Sequence, residues 1–218
     1  MSTAARNPVV GVILAGGLSR RMFAAEAGTG DKGLLALGDL TMIGHVIRRL
    51  APQAGRLVIN ANGDPARFVA LGLPVVADTV QGFVGPLAGV LAGMRWTVTN
   101  APASRHIVTV SSDAPFLPPD LVTRLHGVLG TQTGIAIARS GGELHPVIGL
   151  WPVALADDLE TALAADVRKV LRWTDRHGTI PVDFDSRVIA GHPVDPFFNA
   201  NTPAELDEAR RLLALEAP

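Results

Sequence analysis

The chain of 218 residues has no cysteine. That excludes disulfides, thiolate-ligated metals and thiol nucleophiles, while leaving the compartment open. It also lacks an excess of either charge: 19 basic and 20 acidic residues give a formal net charge of −1. Such a balance offers no broad footprint for nucleic acid or for an anionic membrane, so any anion site must be local. No apolar run approaches the ~18 residues of a membrane span. Residues 1–8 are polar and the apolar run after them breaks early at glycine, unlike a secretory signal. The expectation is a soluble, cytoplasmic protein with no nucleic-acid or membrane partner. Internal repeats, linkers and low-complexity segments are missing too.

What is present suits one α/β domain of generous size. The apolar fraction, 48%, is ordinary for a chain with a substantial core. Short β-branched runs at 9–14, 56–61, 74–77 and 106–110 alternate with helical patterns at 42–50, 65–71 and 86–98. Helices are also expected over 118–129, 155–163, 167–174 and 203–215. Strands are expected at 134–138, 147–150 and 182–184, the first two separated by a Ser140-Gly141-Gly142 turn. Alternation of this kind predicts a mainly parallel sheet covered on both faces. The pair around Gly141 adds one antiparallel strand.

The most informative stretch is 9–32, VVGVILAGGLSRRMFAAEAGTGDK. A buried strand ends at Leu14 and runs into Ala15-Gly16-Gly17, where missing side chains let backbone approach a ligand closely. Arg20, Arg21 and Lys32 follow. Backbone N–H groups in such a turn make an anion-binding concavity. Arginine adds a fork of donors matched to phosphate oxygens, and lysine a compact charge. Two familiar loops are excluded: no register of Gly11, Gly16 and Gly17 gives the dinucleotide fingerprint of dehydrogenases, and Lys32 is not in a P-loop context. An ordinary strand–helix turn with solvated arginines is the bland alternative. It fits each residue singly but not the whole cluster after a first strand, where open α/β sheets bind ligands.

Other strand ends carry candidates. Asp113 follows VTVSS and precedes APFLPP, placing a carboxylate over the same crevice. Hard Mg²⁺ takes oxygen ligands from one or two carboxylates plus substrate phosphates; a turn-forming aspartate is the competing role. Asp78 and Asn60 also end strands, and an amide can both donate and accept. Asn62 and Asp64 are read as shaping a turn. Thr202 to Glu205 reads as a capping box with Pro203 at the first helical position.

The segments LAGGLSRRM and DKGLL resemble the opening signature of the nucleotidyltransferase family that includes the molybdenum cofactor guanylyltransferases. Gly16-Gly17 favours the guanylyl branch, since cytidylyl relatives typically read L-A-A-G. One departure is the longer 23–30 segment before Lys32, a candidate flap over phosphates. The resemblance implies a Rossmann-like three-layer fold of the nucleotide-diphospho-sugar transferase type. It implies a single domain over 1–218, with a nucleotide-binding half at about 9–113 and an acceptor-binding half at about 114–213. It assigns Leu14, Ala15, Gly16, Gly17, Lys32, Asn60, Asp78 and Asp113 to the nucleotide, Arg20, Arg21, Lys32 and Asp113 to catalysis, and Asp113 to Mg²⁺. Gly85, His145, Asn199 and Asn201 match segments on the acceptor side, although a lone His is more often structural than a base.

The implied reaction joins GMP from GTP to molybdopterin, with or without molybdenum, releasing pyrophosphate. Other proteins of molybdenum cofactor biosynthesis are candidate partners. Two alternatives stand beside it: a nucleotidyltransferase using CTP or a sugar phosphate, and a non-catalytic nucleotide- or cofactor-binding protein.

Overall fold

The structure is a computed structural model, and it describes residues 9–17, 22, 30–80, 85–130 and 134–216. Its centre is β1 (Val10–Leu14), apolar and buried along almost its whole length. Gly11 is needed there for packing. A Cβ would lie 2.5 Å from Leu57 Cδ2 and 2.9 Å from Leu50 Cδ2, so a side chain would have to displace these two leucine side chains.

From β1 the chain passes a two-residue hairpin, β2 (Ala36–Leu37) and β3 (Leu40–Thr41), and enters α1 (Met42–Leu50). Thr41 caps α1, its hydroxyl accepting from Gly44 N–H at 3.2 Å. β4 (Arg56–Asn60) then pairs parallel with one edge of β1, and β5 (Val75–Val76) pairs parallel with β4. Helix α2 (Pro86–Asn100) crosses back, so that β6 (His106–Ser111) pairs parallel with the other edge of β1. The direction of winding therefore reverses between β1 and β6. Open α/β sheets place their ligand crevice at that point, beyond the carboxyl ends of the strands.

After α3 (Leu121–Leu129), β7 (Ile135–Ser140) turns through Gly141 and Gly142 into β8 (Glu143–Pro152). Their φ angles of +55° and +86° are those of a two-residue hairpin turn that glycine adopts without strain. β8 runs antiparallel to both β6 and β7, and β9 (Thr179–Asp183) closes the far edge parallel to β7. The sheet order is β5-β4-β1-β6-β8-β7-β9, mainly parallel with β8 the one reversed strand. Helices α4 (Ala156–Ala164) and α5 (Val170–Thr174) lie between β8 and β9, and a hairpin of β10 (Arg187–Ile189) and β11 (His192–Val194) precedes α6 (Pro203–Glu216).

Successive strand residues feed opposite cores, as the two-residue period requires. Ile13, Ile59 and Val108 pack with Ile43, Val46 and Leu125 from α1 and α3. Val12, Val58 and Ile107 pack with Leu91 and Met94 from α2, and with Leu159 and Trp173 from α4 and α5. These are the three layers expected from the alternating pattern. A smaller cluster seats α6 against Leu37, Met42 and Phe116.

Local chemistry moves some boundaries. The helix expected over 65–71 is a 3₁₀ helix, capped by Asp64 accepting from Ala66 N–H at 2.9 Å and stopped at Gly72 with φ +65°. The one expected from 118 begins at Leu121, because a residue before proline avoids the helical region. The helix expected from 167 begins at Val170, after Asp166 adopts a left-handed φ of +61°. The capping box forms: Glu205 N–H donates to Thr202 Oγ1 at 3.3 Å, and Thr202 N–H to Glu205 Oε2 at 2.9 Å. Among the described residues no helix is long and apolar enough to cross a membrane.

Candidate active site

The end of β1 is fixed to both neighbours. Ala15 N–H donates to the Asn60 carbonyl at 2.8 Å, and Ser112 N–H to the Leu14 carbonyl at 3.1 Å. The glycines that follow open onto a cleft of about 350 Å³, whose wall includes Gly16, Gly17, Asn60, Asp78, Gly85 and Ser111. A Cβ built on Gly16 or Gly17 would meet nothing within 4 Å, and neither has a left-handed φ. Packing among the described residues therefore does not require glycine at these positions. A ligand lying against the backbone would.

Two clusters of side chains flank this bend. The first joins the ends of β4 and β5. Asn60 donates from Nδ2 to Asp78 Oδ1 at 2.9 Å and to the Val76 carbonyl at 3.2 Å. Asn62 donates to Asp78 Oδ2 at 2.8 Å, and its own Oδ1 accepts from Asp78 N–H at 2.9 Å. Asn62 was expected only to shape a turn; its amide instead holds Asp78 from both sides. Asn60 itself rests on Gly89 of α2, where a Cβ would fall 2.2 Å from Asn60 Oδ1. Gly85 caps α2 with φ +78°, and Pro86 takes the first helical position.

The second cluster is charged and deeper. The Asp113 side chain is only 3% exposed and forms an ion pair with Lys32, 17% exposed. The Ser111 hydroxyl also donates to Asp113. Lys32 Nζ donates to Asn201 Oδ1 at 2.5 Å. Ala200 N–H binds the Asp113 carbonyl at 3.1 Å, tying the segment before α6 to the end of β6. Asn199 Oδ1 is buried there with no hydrogen-bond partner. The carboxylate and this orphaned acceptor are the hard oxygen donors that a small divalent cation prefers. Among the described residues no group of three or more acidic or histidine side chains converges. Such a cation would thus draw the rest of its oxygens from substrate, as Mg²⁺ commonly does.

Of the residues expected on the acceptor side, Asn199 and Asn201 thus lie beside Asp113. His145 does not touch either cluster. Its ring lies 4.7 Å from that of Phe197, and Nε2 is 2.7 Å from Ser140 Oγ. Burial pushes the imidazole below its ordinary pKa, against the opposing pull of Asp195 and Glu143. Arg20, Arg21 and residues 23–29 lie outside the described residues, and so does the question of which arginine faces phosphate. Sequence reading passed over Ser111 and gave Asn62 only a turn-shaping role. The signal for both was position: each lies one or two residues past or at the end of a strand beside the switch point.

A larger groove of about 940 Å³ lies between α1 and α6, with Arg48, Arg49 and Arg210 in its wall. Its cations are engaged: Arg49 binds Glu216 at 2.8 Å, Arg210 binds Asp207 at 2.8 Å, and Arg48 reaches His45 at 2.9 Å. Nothing there resembles the bare backbone of the cleft.

A family model described as a MobA-like NTP transferase domain matches residues 11–179. A curated relative from Bradyrhizobium sp. (strain ORS 278), named molybdenum cofactor guanylyltransferase, is 51% identical over 99% of this chain and 98% of its own. The fold is similar to that of molybdopterin-guanine dinucleotide biosynthesis protein A from Archaeoglobus fulgidus. The TM-score is 0.70 at 22% identity, covering 94% of this chain and 99% of the other. A Mycobacterium tuberculosis protein whose structure is a complex with manganese shares the fold at TM-score 0.61 and 18% identity, covering 95% and 100%.

Proposed function

The chain belongs to the MobA-like NTP transferase family, and on that premise we propose that it is a molybdenum cofactor guanylyltransferase. It transfers GMP from GTP to the terminal phosphate of molybdopterin, bare or carrying molybdenum, and releases pyrophosphate. An oxygen of the acceptor phosphate forms a bond to the α-phosphorus of GTP. The bond from that phosphorus to the bridging oxygen breaks, and pyrophosphate leaves with the electron pair. No protein nucleophile is needed.

The observation that carries this reading is the shared rim. The exposed, side-chain-free Gly16-Gly17 bend and the Asp113–Lys32 pair stand at the carboxyl ends of adjacent parallel strands. The bend gives N–H donors to the triphosphate without a side chain in the way. Lys32 supplies a fixed positive charge to oxygens on which negative charge grows, and Arg20 and Arg21 are assigned to the same task. Asp113 is assigned to Mg²⁺, and the unpartnered amide oxygen of Asn199 lies in the segment whose Ala200 N–H binds the Asp113 carbonyl; the bound cation would offset the charge of two anions brought together. Asn60, held by Asp78 and the Val76 carbonyl, keeps its amide oxygen towards Gly89 and has a place at the ribose or base of the nucleotide. Gly85, His145, Asn199 and Asn201 are assigned to the acceptor. Holding both substrates in line supplies much of the rate, since positioning alone converts an encounter of two solutes into a local event.

The test is pyrophosphate release from GTP, molybdopterin and Mg²⁺, beside a thermal-shift titration of GTP against CTP. Release with preferential stabilisation by GTP, lost in Asp113→Ala, is the expected result. A preference for CTP overturns the guanylyl assignment. GTP binding with no pyrophosphate release from an active acceptor overturns the enzymatic one.

A further inference from the structure

Outside both clusters lies a third group of polar side chains around His145, in which the proposed reaction leaves Ser140 and Asp195 without a task. Ser140 ends β7, is 3% exposed, and its Oγ stands 2.9 Å from each oxygen of Asp195. The same Oγ is 2.7 Å from His145 Nε2. Asp195 is itself held, because Phe197 N–H donates to its Oδ1 at 2.7 Å. Phe197 also packs on the His145 ring.

Proton counting fixes the direction of these bonds. An ionised carboxylate only accepts, and a serine hydroxyl has one proton. That proton goes to Asp195, so Ser140 Oγ must accept from His145 Nε2–H. His145 Nδ1 then carries a lone pair, and it makes no hydrogen bond among the described residues.

The backbone turns this ring out of the regular sheet. Arg139 pairs with Leu144 and Ile137 with Gly149, so residues 145–148 of β8 stand against Ala138 alone. A bulge of this kind re-aims side chains and is common beside active sites. Pro146, which has no N–H to give a ladder, sits inside it. One residue further on, Val147 forms part of the cleft wall.

We propose that Ser140 and Asp195 are positioning residues that hold His145 as its Nε2–H tautomer, so that Nδ1 accepts a hydrogen bond from an N–H group of the pterin acceptor. The surrounding charge suits this partner and not a phosphate: the Asp195 carboxylate shares the Ser140 hydroxyl with the ring, and Asp195 and Glu143 both act on the imidazole as negative charges. A negative environment repels an oxyanion and leaves a heterocyclic N–H unopposed. Guanine presents similar N–H donors, so the two substrates must be told apart by experiment. The inference rests on the guanylyltransferase reading for the identity of its ligand, but not for the tautomer.

The first measurement is long-range ¹H–¹⁵N NMR of the full chain at pH 7, with the His145 signals identified by their loss in His145→Gln. A single Nε2–H tautomer is expected, becoming a mixture in Ser140→Ala; an Nδ1–H tautomer or an imidazolium in the wild type overturns the proposal. An unsubstituted pterin added to the same sample should shift Nδ1, and no shift at saturation overturns the assigned ligand even if transfer cannot be assayed. In the transfer assay, Ser140→Ala and Asp195→Asn should raise the acceptor KM about 10-fold, with kcat and the GTP KM within about 2-fold of wild type. Ser140→Thr, which restores the hydroxyl, should recover most of the loss and covers the case in which the alanine variant misfolds. Equal rises in both KM values, or a rise confined to GTP, overturn it. Failure of the wild type to release pyrophosphate would count against the proposed function alone.

Discussion

The two clusters beside the glycine bend solve different problems with different chemistry. Asp113 and Lys32 form an ion pair in which the carboxylate is buried and the ammonium nearly so. Asn60, Asn62 and Asp78 form a trio in which one carboxylate is held by neutral amides at ordinary hydrogen-bond lengths. Removing one member of a buried ion pair leaves an uncompensated charge, which costs about 3–5 kcal/mol. Removing one amide bond costs about 1 kcal/mol. The charged pair should therefore govern the reacting phosphates and much of the local stability, and the amide trio should govern how well the nucleotide fits.

Substitutions can break that contrast. Asp113→Asn removes the cation's carboxylate and the negative charge paired with Lys32; kcat/KM should fall by about 10³-fold or more in the pyrophosphate assay. If it falls less than 10-fold, Asp113 does not serve the reacting centre. Lys32→Met should lower kcat by about 10²-fold, with little change in the GTP KM. The same variant should unfold more readily, because among the described residues Asp113 keeps only the Ser111 side chain as a donor, and a calorimetric scan would report it. Asp78→Asn should do the reverse, raising the GTP KM about 10-fold with kcat nearly unchanged. Equal effects of these two variants on kcat would erase the proposed division of labour.

Gly89→Ala sharpens the picture from behind. A methyl group 2.2 Å from Asn60 Oδ1 and 2.8 Å from Leu14 Cδ2 must displace one or both. Overpacking of this sort costs about 1–3 kcal/mol. The GTP KM should rise a few-fold while the acceptor KM stays put, measurable in the same assay. The smallest effect concerns pH. His45, His106 and His145 are all held below the ordinary imidazole pKa by burial. In the unfolded chain each takes up a proton near pH 6.5. Stability is thus complete above that value and declines as pH falls towards the folded pKa, by at most about 1.4 kcal/mol per pH unit for each group. His45, fully buried with Nε2 donating to the Leu37 carbonyl at 2.6 Å, should dominate. Denaturant titrations at pH 7 and 5.5 should show a shallower slope for His45→Gln.

Much of this was legible in the residues themselves. The β-branched runs, the glycine bend and the acid after VTVSS mark strand ends. In an α/β sheet strand ends meet at one rim, which is why Gly16, Asn60, Asp78 and Asp113 converge. Short hairpins were not legible: β2–β3 and β10–β11 span two or three residues per strand, too few to show a period. The contact of Lys32 with Asn201 was also hidden, since 169 residues separate them and only tertiary packing of α6 closes the gap. The Ser140–Asp195 link is of the same kind, a polar pairing across distant sequence that leaves no local pattern.

Strand β8 has a consequence of its own. A strand that travels against its neighbours begins where theirs finish, so the first residues of β8 arrive at the edge where β1 and β6 terminate. Had it run with them, Pro146 and Val147 would sit at the opposite pole of the molecule, and a long excursion would be needed to bring them back. One reversal, made by two glycines in a hairpin, lets late sequence reach an early-built crevice by the shortest route.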